Sequence, residues 1–207
     1  MLPPTMARPI HRRYDDPVDL VWLSCARACG LAVARSSAVF AAYDGAGTLT
    51  VSSSEHFDAD DSLAQLIFHE LCHGLVAGPA GASRRDWGLE NLDGRDLVAE
   101  HACHRLQHAL ATRFGLRGLL SVTTEHRTYW DALPDDALAT DADPAIEVAR
   151  AAWERATSGP WAQPLHDALA ATRAIAQIVR QGALPEESVW HADSAPIVER
   201  GCADDRV

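Results

Sequence analysis

Between Leu63 and Val76 the chain runs through its most apolar stretch, and that stretch carries His69-Glu70-Leu71-Cys72-His73. The stretch holds no proline, and its first glycine is Gly74, just past the second histidine. It therefore predicts a helix from about Ser62 to Val76, with Asp60, Asp61 or Ser62 as N-cap. Residues four apart on a helix lie one above the other on a single face. His69 and His73 can then grip one metal ion, while Glu70 between them reaches the water that the ion holds. With ten histidines in the chain, an ordered H-E-x-x-H is expected in only about 2% of shuffled sequences of this composition. A carboxylate set among Leu66, Ile67, Phe68 and Leu71 is also costly unless something compensates its charge.

Composition narrows the class. The chain has 207 residues, 47% apolar and 23% charged, as in a globular domain with a substantial core. A net charge of −11 without a Lys/Arg-rich stripe argues against a nucleic-acid partner. No apolar run reaches membrane-spanning length, and the N-terminus lacks the hydrophobic region of a signal peptide. Five cysteines, an odd number without regular spacing, do not form a secreted disulfide framework, which points to the cytoplasm. Nothing in the pattern fixes an oligomeric state.

The local signals predict an α+β chain dominated by helix. Residues 1–15, with three prolines and a His-Arg-Arg cluster, read as a flexible lead. Asp16-Pro17 opens a helix to about Leu31. Val39–Tyr43 and Thr48–Ser52 flank Asp44-Gly-Ala-Gly47 as a β-hairpin. After the motif helix come helices over about 95–114, 116–133, 145–157 and 163–181, with the acidic segment 134–144 read as a solvated connector. The expected organisation is a metal-binding core over 16–133, a helical extension over 134–182 and an irregular tail over 183–207.

A catalytic ion held by two histidines needs a further protein ligand and an open water position. Glu100 is the leading candidate. It follows His73 by 27 residues, enough for a second helix to return beside the first, and it stands amid Leu97, Val98, Ala99 and Ala102. His104, one turn further on, is an alternative ligand or a group that orients the site or stabilises an oxyanion. Glu90, Asp93 and His101 are weaker alternatives. For His101 and His108, solvated helix positions are expected.

HExxH followed by a glutamate on a second helix resembles the zincin metallopeptidases whose third ligand is Glu, the gluzincin type. That resemblance, over about residues 39–110, implies a zincin-like core, zinc on His69, His73 and Glu100, and Glu70 as general base. It also implies a peptide or protein substrate, with Thr48–Ser52 in the place of a strand that pairs with it. The metzincin continuation HExxHxxGxxH is absent. A second, shorter resemblance runs from His73-Gly-Leu-Val-Ala-Gly through Arg84-Arg-Asp-Trp-Gly88 to Asp93-Gly-Arg95, and is similar to the elongation factor P hydroxylases. It implies iron(II) on the same two-histidine, one-carboxylate set. A non-catalytic regulatory module on the same scaffold is the third reading.

For a hydrolase, oxyanion donors are also required, and His104, His126, Tyr129 and Arg127 qualify by chemistry. Cys72 and Cys103 could meet if the two helices pack through the metal, and Cys25 and Cys29 lie one turn apart; buried, inert thiols are the expectation for all four.

Overall fold

The computed structural model describes residues 14–57, 61–89, 96–122 and 126–182. The chain divides into two compact units, one up to Arg173 and one from Ala174 onward. Of the second, the described part is the last turns of a helix ending at Gly182. The first unit contains the motif and everything that follows here.

Its elements are α1 (Pro17–Ala28), β1 (Ala32–Ser36), β2 (Ala41–Tyr43), β3 (Thr48–Ser52), α2 (Leu63–Gly81), α3 (Leu97–Arg113), α4 (Arg127–Ala132), α5 (Ala145–Ser158) and α6 (Ala162–Gly182, of which the stretch to Arg173 lies in this unit). The fold is thus α+β and mostly helical, and among the described residues no helix is long and apolar enough to cross a membrane. The hairpin forms as the turn signals indicate, with Ala41–Tyr43 antiparallel to Leu49–Val51. Asp44 closes it by accepting from the backbone N–H groups of Ala46 and Thr48. The strand β1 is a feature the sequence reading missed. It pairs in parallel with β3, giving the order β1-β3-β2. Because β3 is central and paired on both sides, it offers no free edge, and the expected pairing of Thr48–Ser52 with an extended substrate is corrected.

The motif helix α2 is anchored at both ends. Ser62 accepts from Gln65 N–H and Asp19 of α1 accepts from Ala64 N–H, so two of the orphan amides at its start are satisfied. Near its far end the helix breaks at Gly78, whose φ of 60° precedes Pro79. There Arg155 of α5 donates to the Leu75 and Val76 carbonyls that the break leaves open. The apolar face of α2 buries Ile67, Phe68, Leu71 and Cys72 completely, with Phe68 against Trp22 of α1 at 4.6 Å between ring centroids. On the other side, Ala102 of α3 meets Ala145 and Ala149 of α5, and these small side chains let the two helices approach closely.

Two expectations need correction. The helix expected over 116–133 shrinks to α4, Arg127–Ala132. Glutamine side chains hold the backbone before it instead: Gln107 donates to the Leu120 carbonyl and Gln65 to that of Ser121. The acidic connector is also not simply solvated. Arg105 of α3 is buried, and its guanidinium donates to Asp141 at 2.9 Å, Asp143 at 3.1 Å and the Ala137 carbonyl at 2.7 Å. Tyr129 completes the cluster, donating to Asp143 at 2.6 Å and accepting from Arg105. The segment 134–173, expected as an extension, accordingly lies in the same compact unit as the motif helix. The proposed lead over 1–15 and tail over 183–207 lie almost wholly outside the described residues.

Removing one side of a buried, charged hydrogen-bonded cluster leaves the other side uncompensated. Arg105→Met is therefore expected to lower stability by about 3 kcal/mol in urea unfolding. Arg127→Met, which removes an exposed pair with Asp131, should change it by less than about 1 kcal/mol.

Candidate metal centre

The imidazoles of His69 and His73 turn toward each other as the i, i+4 spacing requires, with their Nε2 atoms 2.9 Å apart. Glu100 arrives from α3, with Oε1 3.4 Å from His69 Nε2 and Oε2 3.5 Å from His73 Nε2. His104, one turn along α3, places Nε2 3.3 Å from Glu100 Oε1. Two donors each about 2.1 Å from one ion can be no more than about 4.2 Å apart, and about 3.0–3.4 Å when adjacent in octahedral or tetrahedral surroundings. The His69–His73 pair and the His69–Glu100 pair fall at or close to this range, and one donor atom each from His69, Glu100 and His104, or from His69, His73 and Cys103, lies within 4.8 Å of the others. The donor chemistry, imidazole nitrogen with one carboxylate, suits zinc or iron(II).

The tautomer of His69 is set from behind. Gln107 commits its amide N–H to the Leu120 carbonyl, which turns its Oε1 toward His69 Nδ1 at 3.1 Å. Nδ1 must then carry a proton, and Nε2 is the atom offered to a metal. This glutamine is absent from the sequence-derived site. Its signal was its position, one turn after His104 on the same face of α3, but a lone glutamine does not announce that role.

Burial works against a charge on His69, yet the hydrogen bond and negative charge of Glu100 outweigh it and lift the pKa to about 9. Burial and the neighbouring His69 cation push His73 down to about 3. Burial likewise takes His104 down to about 4. Burial also opposes the charge on Glu100, but the imidazoles of His104, His69 and His73 hold its carboxyl well below the usual carboxylate range. At neutral pH the centre is thus an anion and one imidazolium among neutral rings.

Glu70 lies on the adjoining face, buried, and burial raises its pKa. Its Oε2 accepts from the Trp87 indole N–H at 3.3 Å. Trp87 sits in a short turn, Arg85–Gly88, in which Asp86 and Trp87 both have positive φ, 47° and 56°. Such conformations persist only when surroundings impose them. Here Asp86 accepts from the Tyr43 N–H of β2, and the Tyr43 ring stacks on the Trp87 indole at 3.7 Å. Gly74, next to His73, leaves room for the indoles: a Cβ there would stand 2.8 Å from the Trp161 ring and 3.0 Å from that of Trp87.

The remaining candidates are distributed as follows. His126 Nε2 is 4.0 Å from Glu100 Oε1, at the edge of the cluster and partly exposed. The Tyr129 hydroxyl is engaged by Arg105 and Asp143, and its ring stacks on His101 at 3.7 Å. Arg127 is exposed and paired with Asp131. His108 is fully buried against Trp130, so its expected solvated position is corrected; α3 is enclosed around its whole circumference from Ala102 to His108. His101 is half-buried rather than free. Glu90 and Asp93 lie outside the described residues. The four described cysteines are free, and Cys103 Sγ stands 3.6 Å from His69 Nδ1.

A cation bound through Nε2 of His69 would have to displace the proton there. Binding at pH 7 is expected to release close to one proton per ion, and affinity to rise about tenfold per pH unit until it levels near pH 9. Calorimetric titration in buffers of different ionisation enthalpy measures the proton count. Gly74→Ala should cost about 1–3 kcal/mol in urea unfolding and alter tryptophan fluorescence as the two indoles are displaced.

No family model, curated protein or solved structure matches the chain.

Proposed function

We propose that the protein is a metal-dependent hydrolase, a zincin-like peptidase in which His69, His73 and Glu100 hold a divalent cation and Glu70 is the general base. The observation that carries this reading is the convergence of two Nε2 atoms and a carboxylate within 2.9–3.5 Å, with a second, buried carboxylate beside them. Zinc bound there would supply Lewis acidity, polarising a carbonyl and lowering the pKa of water toward about 7. Glu70, with a pKa raised by burial, is suited to take a proton from the attacking water and return it to the leaving amine. Trp87 steadies that carboxylate through its indole N–H. Gln107 fixes the ring of His69. His126, partly exposed beside Glu100, is the available donor for a developing oxyanion. Free thiols at Cys25, Cys29, Cys72 and Cys103 suit a reducing compartment such as the cytoplasm.

A second reading, an iron(II) oxygenase on the same ligands, is supported by the same grouping of two imidazoles and one carboxylate, a donor set that suits iron(II) as well as zinc.

The test is cleavage of a mixed-sequence fluorogenic peptide library by zinc-loaded protein. Glu70→Gln is expected to lower kcat/KM about 10³-fold while metal content stays unchanged. Absence of zinc-dependent cleavage, together with iron(II)-dependent oxygen uptake, would replace hydrolysis by the second reading.

A further inference from the structure

His104 is 2% exposed, and neither of its ring nitrogens has a hydrogen-bond partner among the described residues. A buried polar group left without a partner costs about 1–3 kcal/mol. His108, on the same helix, also has an unpartnered Nε2, but its Nδ1 contacts Thr112 at 3.4 Å. For His104 no polar atom meets Nδ1 among the described residues, and Nε2 has only the Glu100 carboxylate before it. Its Nε2 faces the Glu100 carboxylate at 3.3 Å without the alignment of a hydrogen bond, and its ring lies nearly parallel to that of His69, 5.1 Å away and inclined by 26°. One donor atom each from His69, Glu100 and His104 can be chosen within 4.8 Å of one another. Three imidazoles thus crowd one carboxylate, within 3.5 Å of it.

We propose that His104 is a fourth protein ligand, through Nε2, so that the centre is a three-histidine, one-carboxylate site for an ion of coordination number five or six. The proposal rests on the metal-centre reading above and deepens it. Four protein donors fill a tetrahedral ion and leave it no open position, as in structural zinc sites. An ion that also holds water or substrate here must therefore expand its coordination, to five for zinc and to five or six for iron(II), manganese(II) or cobalt(II). The fourth donor comes from the same helix as Glu100 at i+4, so α3 presents a Glu-x-x-x-His pair to the His-x-x-x-His pair of α2.

Cobalt(II), added to the metal-free full-length protein, is the probe. Its visible absorption is weak in six-coordinate sites, intermediate in five-coordinate ones and strong in four-coordinate ones. The expected result for the wild type is weak to intermediate bands, with three imidazoles counted by cobalt-edge X-ray absorption. His104→Ala and His104→Gln should each alter the bands and raise the cobalt Kd more than about 100-fold, beyond the 10–100-fold expected of a residue that only orients a ligand. Two imidazoles in the wild type, or an unchanged spectrum in a folded His104 variant, overturns the fourth-ligand proposal and leaves the three-ligand centre standing. Failure of the wild type to bind cobalt at all, with His69→Ala indistinguishable from it, overturns both. The absorption measurement on the wild type decides the matter even if both variants fail to fold.

Discussion

One carboxylate, that of Glu100, organises the middle of this molecule. It reaches from α3 into a ring of imidazoles belonging to both α2 and α3, at 3.3–3.5 Å from three of them. A charge so placed is expensive to bury unless positive partners surround it. The two helices therefore meet through a polar centre and not only through an apolar seam. The packing around that centre, alanine against alanine between α3 and α5 and Trp22 against Phe68 between α1 and α2, holds the donors at their spacing.

The supporting polar groups follow the same logic. The helix α3 is buried on all sides from Ala102 to His108, yet that span contains His104, Arg105, Gln107 and His108. Each long polar side chain does structural work with its far end. Arg105 ties down the acidic connector, and Gln107 joins the 116–122 segment to the back of His69. A buried polar network is stable only when its members are satisfied. Arg105 and Gln107 meet that condition within the protein, whereas the Nδ1 of His104 has no partner among the described residues.

Around Glu70 a different device operates. A strained turn with two left-handed residues delivers the Trp87 indole to a carboxylate, and the sheet holds the turn through Asp86 and the Tyr43 ring. The small sheet thus buttresses the carboxylate that adjoins His69 in the motif. The central position of β3 closes the sheet to strand addition on that element.

The sequence by itself determined the helix under the motif, the hairpin and the facing of His69 and His73, and it made Glu100 the leading partner for them, because each follows from local periodicity or from the cost of a carboxylate in an apolar run. It left open which of Asp60, Asp61 and Ser62 caps the helix. The parallel strand β1 was not legible, since Ala32–Ser36 shows no clean alternation and gains its order only from pairing with β3. Neither was the loss of helix over 116–122, where side-chain amides of Gln65 and Gln107 engage the backbone carbonyls instead. Tertiary structure alone decided which histidine of α3 stands against His69, which acids clasp Arg105, and that Trp87 reaches Glu70. Those are contacts between residues 17 to 38 positions apart, set by how helices and turns dock, and no local rule of sequence encodes docking.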